Sequence, residues 1–285
     1  MNPTSTDVLR ISAFSDGDQG GNPAGVWIGD ALPPDTEMQR MAHAVGFSET
    51  AFAARSGDGE GRQAFRVRYF SPEAEVAFCG HATIALGAAL ARQFGDGVYP
   101  LVLNQADITV EGRREGSLTA AALQSPPTRS QPADPQLVAA ALDLFGYSEA
   151  DLDPRIPPGL AHAGNDHLVL ALASRDLLAA MRYDLEAGRT LMQAHGLVTI
   201  VLVWAESARL FHTRNPFAFG GVYEDPATGA GTAALAGYLR DLGWPHGGAI
   251  EVVQGEDMGM RSRLQAGIGE LPGSSIRVAG TARFM

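Results

Sequence analysis

One cysteine, Cys79, in 285 residues leaves no intrachain disulfide, no thiolate zinc cluster and no redox pair. Any mechanism that needs two thiols within the chain is excluded. Basic charge is scarce too. Arginine and lysine together number 21 against 32 acidic residues, a net charge of -11, with neither a run of like charges nor a basic stripe. That balance argues against nucleic acid and anionic membrane surfaces as partners. Long apolar runs are missing: the stretch around Leu197 to Ala205 is far too short to span a bilayer. Residues Met1 to Asp7 carry neither a basic nor an apolar targeting region, which predicts a cytoplasmic location. A hydrophobic content of 45% over this length fits one large globular domain or two of ordinary size.

What the chain does have is a pair of similar small-residue turns, Phe78-Cys79-Gly80-His81-Ala82-Thr83 and Asp225-Pro226-Ala227-Thr228-Gly229-Ala230-Gly231. Each opens a small-residue helix, Ile84 to Leu90 after the first and Thr232 to Leu239 after the second. Each helix start offers unpaired backbone N–H groups and a positive dipole end. Two such ends facing each other would make an anion pocket. A third element, Gly46-Phe47-Ser48-Glu49-Thr50-Ala51-Phe52, sets one carboxylate in a short polar break between apolar residues.

Strands are predicted at Val8 to Ser15, Ala24 to Ile28, Ala64 to Phe70, Leu101 to Leu103, Ile108 to Val110 and Ser117 to Leu123. Pro34 to Val45 reads as a helix with Asp35 as its N-cap. Gln124 to Pro135, rich in Pro, Ser and Gln, reads as a linker. Beyond it the pattern returns, with helices at Gln136 to Phe145 and Tyr183 to Ala194 and strands at His167 to Leu172, Leu197 to Trp204, Arg209 to Thr213, Ile250 to Gln254 and Ile276 to Ala279. The matched placement of the two turn-opened helices suggests an internal repeat. The predicted fold is α+β, with two lobes of similar build: 1–123 and 124–275, the strand near 276–285 joining the first.

Each candidate residue has a structural and a chemical reading. Glu49 is either a capping or solvated acid or, partly desolvated between Phe47 and Phe52, a general acid/base. His81, at a helix start, is either structural or a neutral imidazole that orients a substrate. Cys79 is either an activated thiol or a small buried residue of the pocket lining. Asp225, held extended by Pro226, is either a charge favoured by the helix dipole or a catalytic group. Gly229, Ala230 and Gly231 serve tight helix packing or close approach of a ligand to the backbone. No Walker A loop or dinucleotide fingerprint is present.

Taken in order, Ala13-Phe14 with Gly21-Asn22-Pro23-Ala24, the Glu49 segment, Arg68-Tyr69-Phe70-Ser71-Pro72 with Glu75-Val76, the Cys79 turn, Glu224-Asp225-Pro226-Ala227-Thr228-Gly229 and a late Gln254-Gly255 resemble the PhzF-like phenazine-biosynthesis family over essentially the whole chain. The resemblance implies a diaminopimelate-epimerase-like fold: two pseudo-symmetric lobes, each a mixed sheet curled around a central helix, with the active site between them. It implies a cofactor-independent isomerase without a metal, the type activity being a proton shift from C3 to C1 in trans-2,3-dihydro-3-hydroxyanthranilate, and a homodimer.

Carried onto this chain, the resemblance makes Glu49 the acid/base and adds His81 and Asp225 as catalytic partners. Asn22, Cys79, Gly80, Thr228, Gly229, Ala230 and Gly231 become substrate-binding positions. Ala230 stands where the phenazine enzyme has Ser, and Met258-Gly259-Met260-Arg261-Ser262 departs from the common Gly-Arg-Pro-Ser. Thiol-pair epimerases and racemases resemble the same architecture, but the second thiol position here is Thr228. The expected reaction is thus a one-carboxylate proton shuttle on a small carboxylated substrate. Epimerisation or elimination on a hydroxy or amino acid, and a non-catalytic small-acid binding protein, are the alternatives.

Overall fold

The computed structural model describes residues 8–57, 63–105, 107–116 and 118–285. The reading of Met1 to Asp7 and the predicted strand residue Ser117 lie outside them. Two compact units divide at Gln124/Ser125 and again at Val278/Ala279.

In the first unit the chain runs through β1 (Leu9–Ala13), β2 (Asn22–Gly29), α1 (Asp35–Val45), β3 (Thr50–Gly57), β4 (Gln63–Phe70), β5 (Glu75–Val76), α2 (Gly80–Phe94), β6 (Gly97–Val102), β7 (Asp107–Glu115) and β8 (Leu118–Gln124). Antiparallel and parallel pairings alternate: β1 with β2 antiparallel, β2 with β3 parallel, β3 with β4 antiparallel, β4 with β6 parallel, β6 with β7 antiparallel. A parallel step cannot be made by a tight hairpin and needs a crossover. The helices α1 and α2 supply the two crossovers.

The face α1 buries consists of Met38, Met41, Ala42 and Val45, the spacing of one helical stripe, packed against Val8, Trp27, Phe52 and Phe70. Burying each methionine contributes about 1.5–3 kcal/mol. The expected N-cap moves by one residue. Pro34, already extended at φ -57° and ψ 152°, takes that position without a side-chain cap. Asp35 becomes the first helical residue and its carboxylate bonds Arg68, which holds the carboxyl below its usual range.

All of His81 to Ala91 in α2 is buried, so this helix is the centre of the unit, not a surface stripe. Its small residues permit close packing. A Cβ at Gly87 would come within 2.5 Å of the Val110 side chain, and one at Gly112 within 2.3 Å of the Gly87 carbonyl oxygen. The helix and β7 therefore meet backbone to backbone at this pair.

The second unit holds β9 (Arg129–Pro132), α3 (Pro135–Phe145), β10 (Gly159–His162), β11 (Asp166–Ala171), α4 (Arg175–Ala179), α5 (Leu185–His195), β12 (Thr199–Ala205), β13 (Leu210–Phe217), β14 (Val222–Asp225), α6 (Gly229–Asp241), β15 (Ala249–Gln254) and β16 (Ser262–Gly267). The same succession of pairings recurs: β10 with β11 antiparallel, β11 with β12 parallel, β12 with β13 antiparallel, β13 with β15 parallel, β15 with β16 antiparallel. Short β14 pairs with β13 just before α6, as β5 pairs with β4 just before α2. Leu137, Phe145, Leu168, Leu170, Met192, Ile200 and Leu202 form the core under α3 and α5. Like α2, α6 is buried along most of its length, from Gly231 to Arg240. The last strand, β17 (Arg277–Phe284), runs antiparallel to β1 through Ile11 opposite Phe284.

The predicted linker at Gln124 to Pro135 is partly ordered ladder: β9 within it pairs with β10 from Arg129 opposite His162 to Pro132 opposite Gly159. Polar composition hid a strand whose pairing partner lies some thirty residues on. No helix among the described residues is long and apolar enough to cross a membrane.

Candidate active site residues at two helix starts

In the first unit, Glu49 lies between the left-handed Gly46 that ends α1 and the start of β3. Its carbonyl accepts the Gly25 N–H at 3.1 Å, which fixes the backbone beside β2. Phe52 is fully buried and Phe47 packs on the same apolar cluster, leaving the carboxylate between them with 16% of its side chain exposed. His81, the second residue of α2, is buried. Its Nε2 lies 3.5 Å from Glu49 Oε2 and 3.3 Å from Ser48 Oγ, and its Nδ1 lies 3.3 Å from Cys79 Sγ.

A carboxylate can only accept, and a neutral imidazole donates from one nitrogen and accepts at the other. The two ring nitrogens of His81 are thus hydrogen-bonded to Ser48 Oγ and Cys79 Sγ, with the Glu49 carboxylate 3.5 Å from Nε2. The turn beneath them is braced: Thr83 donates its hydroxyl to Cys79 O at 2.7 Å, and the Tyr69 hydroxyl meets Thr83 Oγ1 at 2.7 Å. Tyr69 is wholly buried, which raises its phenol above the ordinary value and keeps it neutral.

In the second unit, Asp225 ends β14 and Thr228 is the N-cap residue of α6. Thr228 is a competent capping residue, yet its hydroxyl donates to Asp225 Oδ2 at 2.6 Å and caps nothing. Gln254, fully buried at the end of β15, holds the turn at three points. Its Oε1 accepts the Thr228 N–H at 3.0 Å, and its Nε2 donates to Asp225 O at 2.7 Å and to Thr228 Oγ1 at 2.9 Å. Gly255 follows at φ 72°, and a Cβ there would lie 2.7 Å from Pro226 O. Behind the turn, Arg214 is bonded through Nε to Glu224 at 3.0 Å and through Nη1 to Ala179 O at 3.0 Å, both side chains being buried. At Gly231 a Cβ would approach the Asn215 amide to 2.9 Å, so close packing accounts for that glycine.

The lack of both a side-chain cap and a first-turn acid sets these two helices apart from α1, which is uncapped but carries Asp35 and Glu37 in its first turn, and from α3, α4 and α5. Asp134, Ser174 and Asp184 cap α3, α4 and α5 with their side chains. Cys79 and Thr228 give α2 and α6 no side-chain cap, and neither helix has an acidic residue in its first turn. Their first N–H groups keep their capacity to donate to an anion.

The structure thus brings Glu49, Cys79, Gly80 and His81 together in the first unit and Asp225, Thr228, Gly229, Ala230 and Gly231 together in the second. Asn22 opens β2 opposite Ala13 and is buried. Ser48 and the role of Gln254 were missed by sequence reasoning. A hydroxyl beside the lone acid was the available signal for Ser48.

Alternating ladders with buried helices, and an acid beside an imidazole at one helix start, define an α+β protein with a candidate acid/base site. The chain matches the model of the PhzC-PhzF family, phenazine biosynthesis-like protein, over residues 11–285, and it belongs to that family. It is 32% identical to the trans-2,3-dihydro-3-hydroxyanthranilate isomerase of Pseudomonas aeruginosa, over 95% of this chain and 94% of that relative. Among solved structures, a PhzF-family phenazine biosynthesis protein of Bacillus anthracis shares the fold at TM-score 0.83 and 23% identity, covering 98% of this chain and 96% of that one. A probable proline racemase of Agrobacterium radiobacter shares it at TM-score 0.65 and 12% identity, covering 98% and 90%.

Proposed function

We propose that the chain is a cofactor-independent isomerase that removes a C–H proton from a small carboxylated substrate and returns it at another carbon, with Glu49 as the shuttle. The observation that carries this reading is the half-buried Glu49 carboxylate 3.5 Å from His81 Nε2 at the start of α2. Glu49 takes the proton as the C–H bond breaks, and the electron pair enters the substrate's conjugated system. The same carboxyl then delivers the proton to the second carbon, so atoms and charge balance without a redox step. His81 holds the carboxylate in place and steadies whichever form it has. The uncapped start of α2 supplies preorganised N–H donors for the delocalised anion. Asp225, its carboxylate held by the Thr228 hydroxyl, is a further catalytic group.

The substrate class follows the named relative, and the first compound to test is trans-2,3-dihydro-3-hydroxyanthranilate. Turnover in deuterated water should place deuterium at the product carbon, at less than full incorporation if Glu49 is shielded from exchange. Glu49→Gln should lower the rate by at least about 10²-fold, the lower end of what a positioned acid/base contributes. Full activity in that variant would sink the shuttle and favour the small-acid binding protein.

A further inference from the structure

Glu49, Cys79 and His81 each offer one ligand atom, and these atoms lie within 4.8 Å of one another. Among the described residues it is the His/Cys/Asp/Glu grouping of three that meets this spacing. The separation of Cys79 Sγ from His81 Nδ1 is 3.3 Å. A tetrahedral zinc ion, with bonds of about 2.3 Å to sulfur and about 2.0 Å to nitrogen, asks for roughly 3.5 Å between those two atoms. The pair is therefore already spaced as a chelate, on a Cys-x-His segment braced by Thr83 and Tyr69. An ion equidistant from three atoms 4.8 Å apart would sit roughly 2.8 Å from each, so bonding distances need shifts well below 1 Å.

We infer that this cluster is a site for a thiophilic divalent cation such as Zn2+, one ion per chain, with Cys79, His81 and Glu49 as ligands and water completing the shell. A set of one sulfur, one nitrogen and one oxygen donor selects zinc and its soft neighbours over magnesium or calcium. On binding, the metal displaces the thiol proton, and the thiolate and the carboxylate together supply the two negative charges that neutralise the ion. The bound ion does not serve the isomerase reaction. It occupies the Glu49 carboxylate and the His81 ring, so loading silences the enzyme, a consequence that rests on the function proposed above.

The test starts from chelator-treated protein. Co2+ titration should give one equivalent of binding and a near-ultraviolet thiolate-to-cobalt charge-transfer band, which Zn2+ displaces. Cys79→Ser should lose the band, and both Cys79→Ser and His81→Gln should weaken zinc binding at least about tenfold, the low end for losing part of a metal site's support. His212→Gln should keep the band, because His212 lies between Glu206 and Glu256 on opposite ring nitrogens in another part of the chain. Melting curves of each metal-free variant check that it is folded. A folded wild type without the band, or a band surviving Cys79→Ser, overturns the site. Stoichiometric zinc binding that leaves turnover intact supports the site and counts against the catalytic roles of Glu49 and His81.

Discussion

The uncapped starts of α2 and α6 carry opposite kinds of furniture. At α2 three titratable side chains face one another across contacts of 3.3–3.5 Å, and the scaffold beneath them is a short chain of two hydroxyls. At α6 the Asp225 carboxylate accepts a neighbour's hydroxyl, its backbone carbonyl accepts from a buried glutamine, and the preceding residue, Glu224, is in a buried ion pair with Arg214. Equivalent steps of one repeated topology thus carry different side chains, titratable groups in contact at one and a fixed hydrogen-bonded turn at the other. Substitutions at the first should cost rate, and substitutions at the second should cost stability.

The largest expected effect belongs to the rigid side. Arg214→Met strands the buried Glu224 and should destabilise the protein by about 3–5 kcal/mol, whereas the double change Arg214→Met with Glu224→Met should recover much of that loss. Urea unfolding measures both. A loss below about 1 kcal/mol in the single variant would remove the ion pair from the frame.

Glu49→Gln comes next and sharpens the other side. Its melting temperature should stay close to that of the parent while turnover falls as proposed, since the side chain is partly exposed and meets His81 at 3.5 Å. Equal losses of stability and rate would mean that the two helix starts are not specialised differently. Gln254→Ala should cost about 1–3 kcal/mol, because it leaves the Thr228 N–H without its acceptor, and should lower turnover through a loosened Asp225. Gln254→Glu, which keeps the acceptor but loses both donors, should keep part of the stability and little of the activity.

His167 gives a pH test confined to the second unit. Its Nδ1 meets Thr199 Oγ1 at 2.7 Å, its Nε2 has no hydrogen-bond partner among the described residues, and burial pushes its pKa down to about 4. The unfolded chain then binds more protons than the folded one between about pH 4 and pH 6.5. Stability is complete above that window and should fall by about 2 kcal/mol between pH 8 and pH 5. His167→Asn should flatten this part of the urea-midpoint profile. The smallest effect is expected of Cys79→Ser, which keeps a hydrogen-bonding atom beside His81 and should change turnover by less than about tenfold, a fraction of what the acid/base contributes.

What could be read from the sequence divides along a physical line. Helix starts were legible because they are local: a small-residue turn names its own helix, and His81 sat in such a turn, while Glu49 stood out as the lone acid in a short polar break between apolar residues. The long apolar helices and strands, α3, β11 and β12, were equally local. Long-range hydrogen bonds were not. Gln254 acts on Thr228 across 26 residues, and no periodicity or turn signal announces it. The same applies to β9, a polar Arg-Ser-Gln-Pro segment that is a strand only because β10 pairs with it, and to short β14 and β16. Asp35 failed as a cap for a subtler reason, since Pro34 had already adopted the extended backbone that the position asks for.

Cys79 has a last consequence that concerns time. In a chain with one thiol, every molecule of a thiol reagent incorporated marks the same atom, and that atom is buried against His81 at the start of α2. The rate of labelling therefore counts how often this helix start opens to solvent, a local free energy separate from that of global unfolding. An anion that settles on the uncapped N–H groups of α2 would slow the count, so the single thiol serves as a clock for occupancy of that helix start.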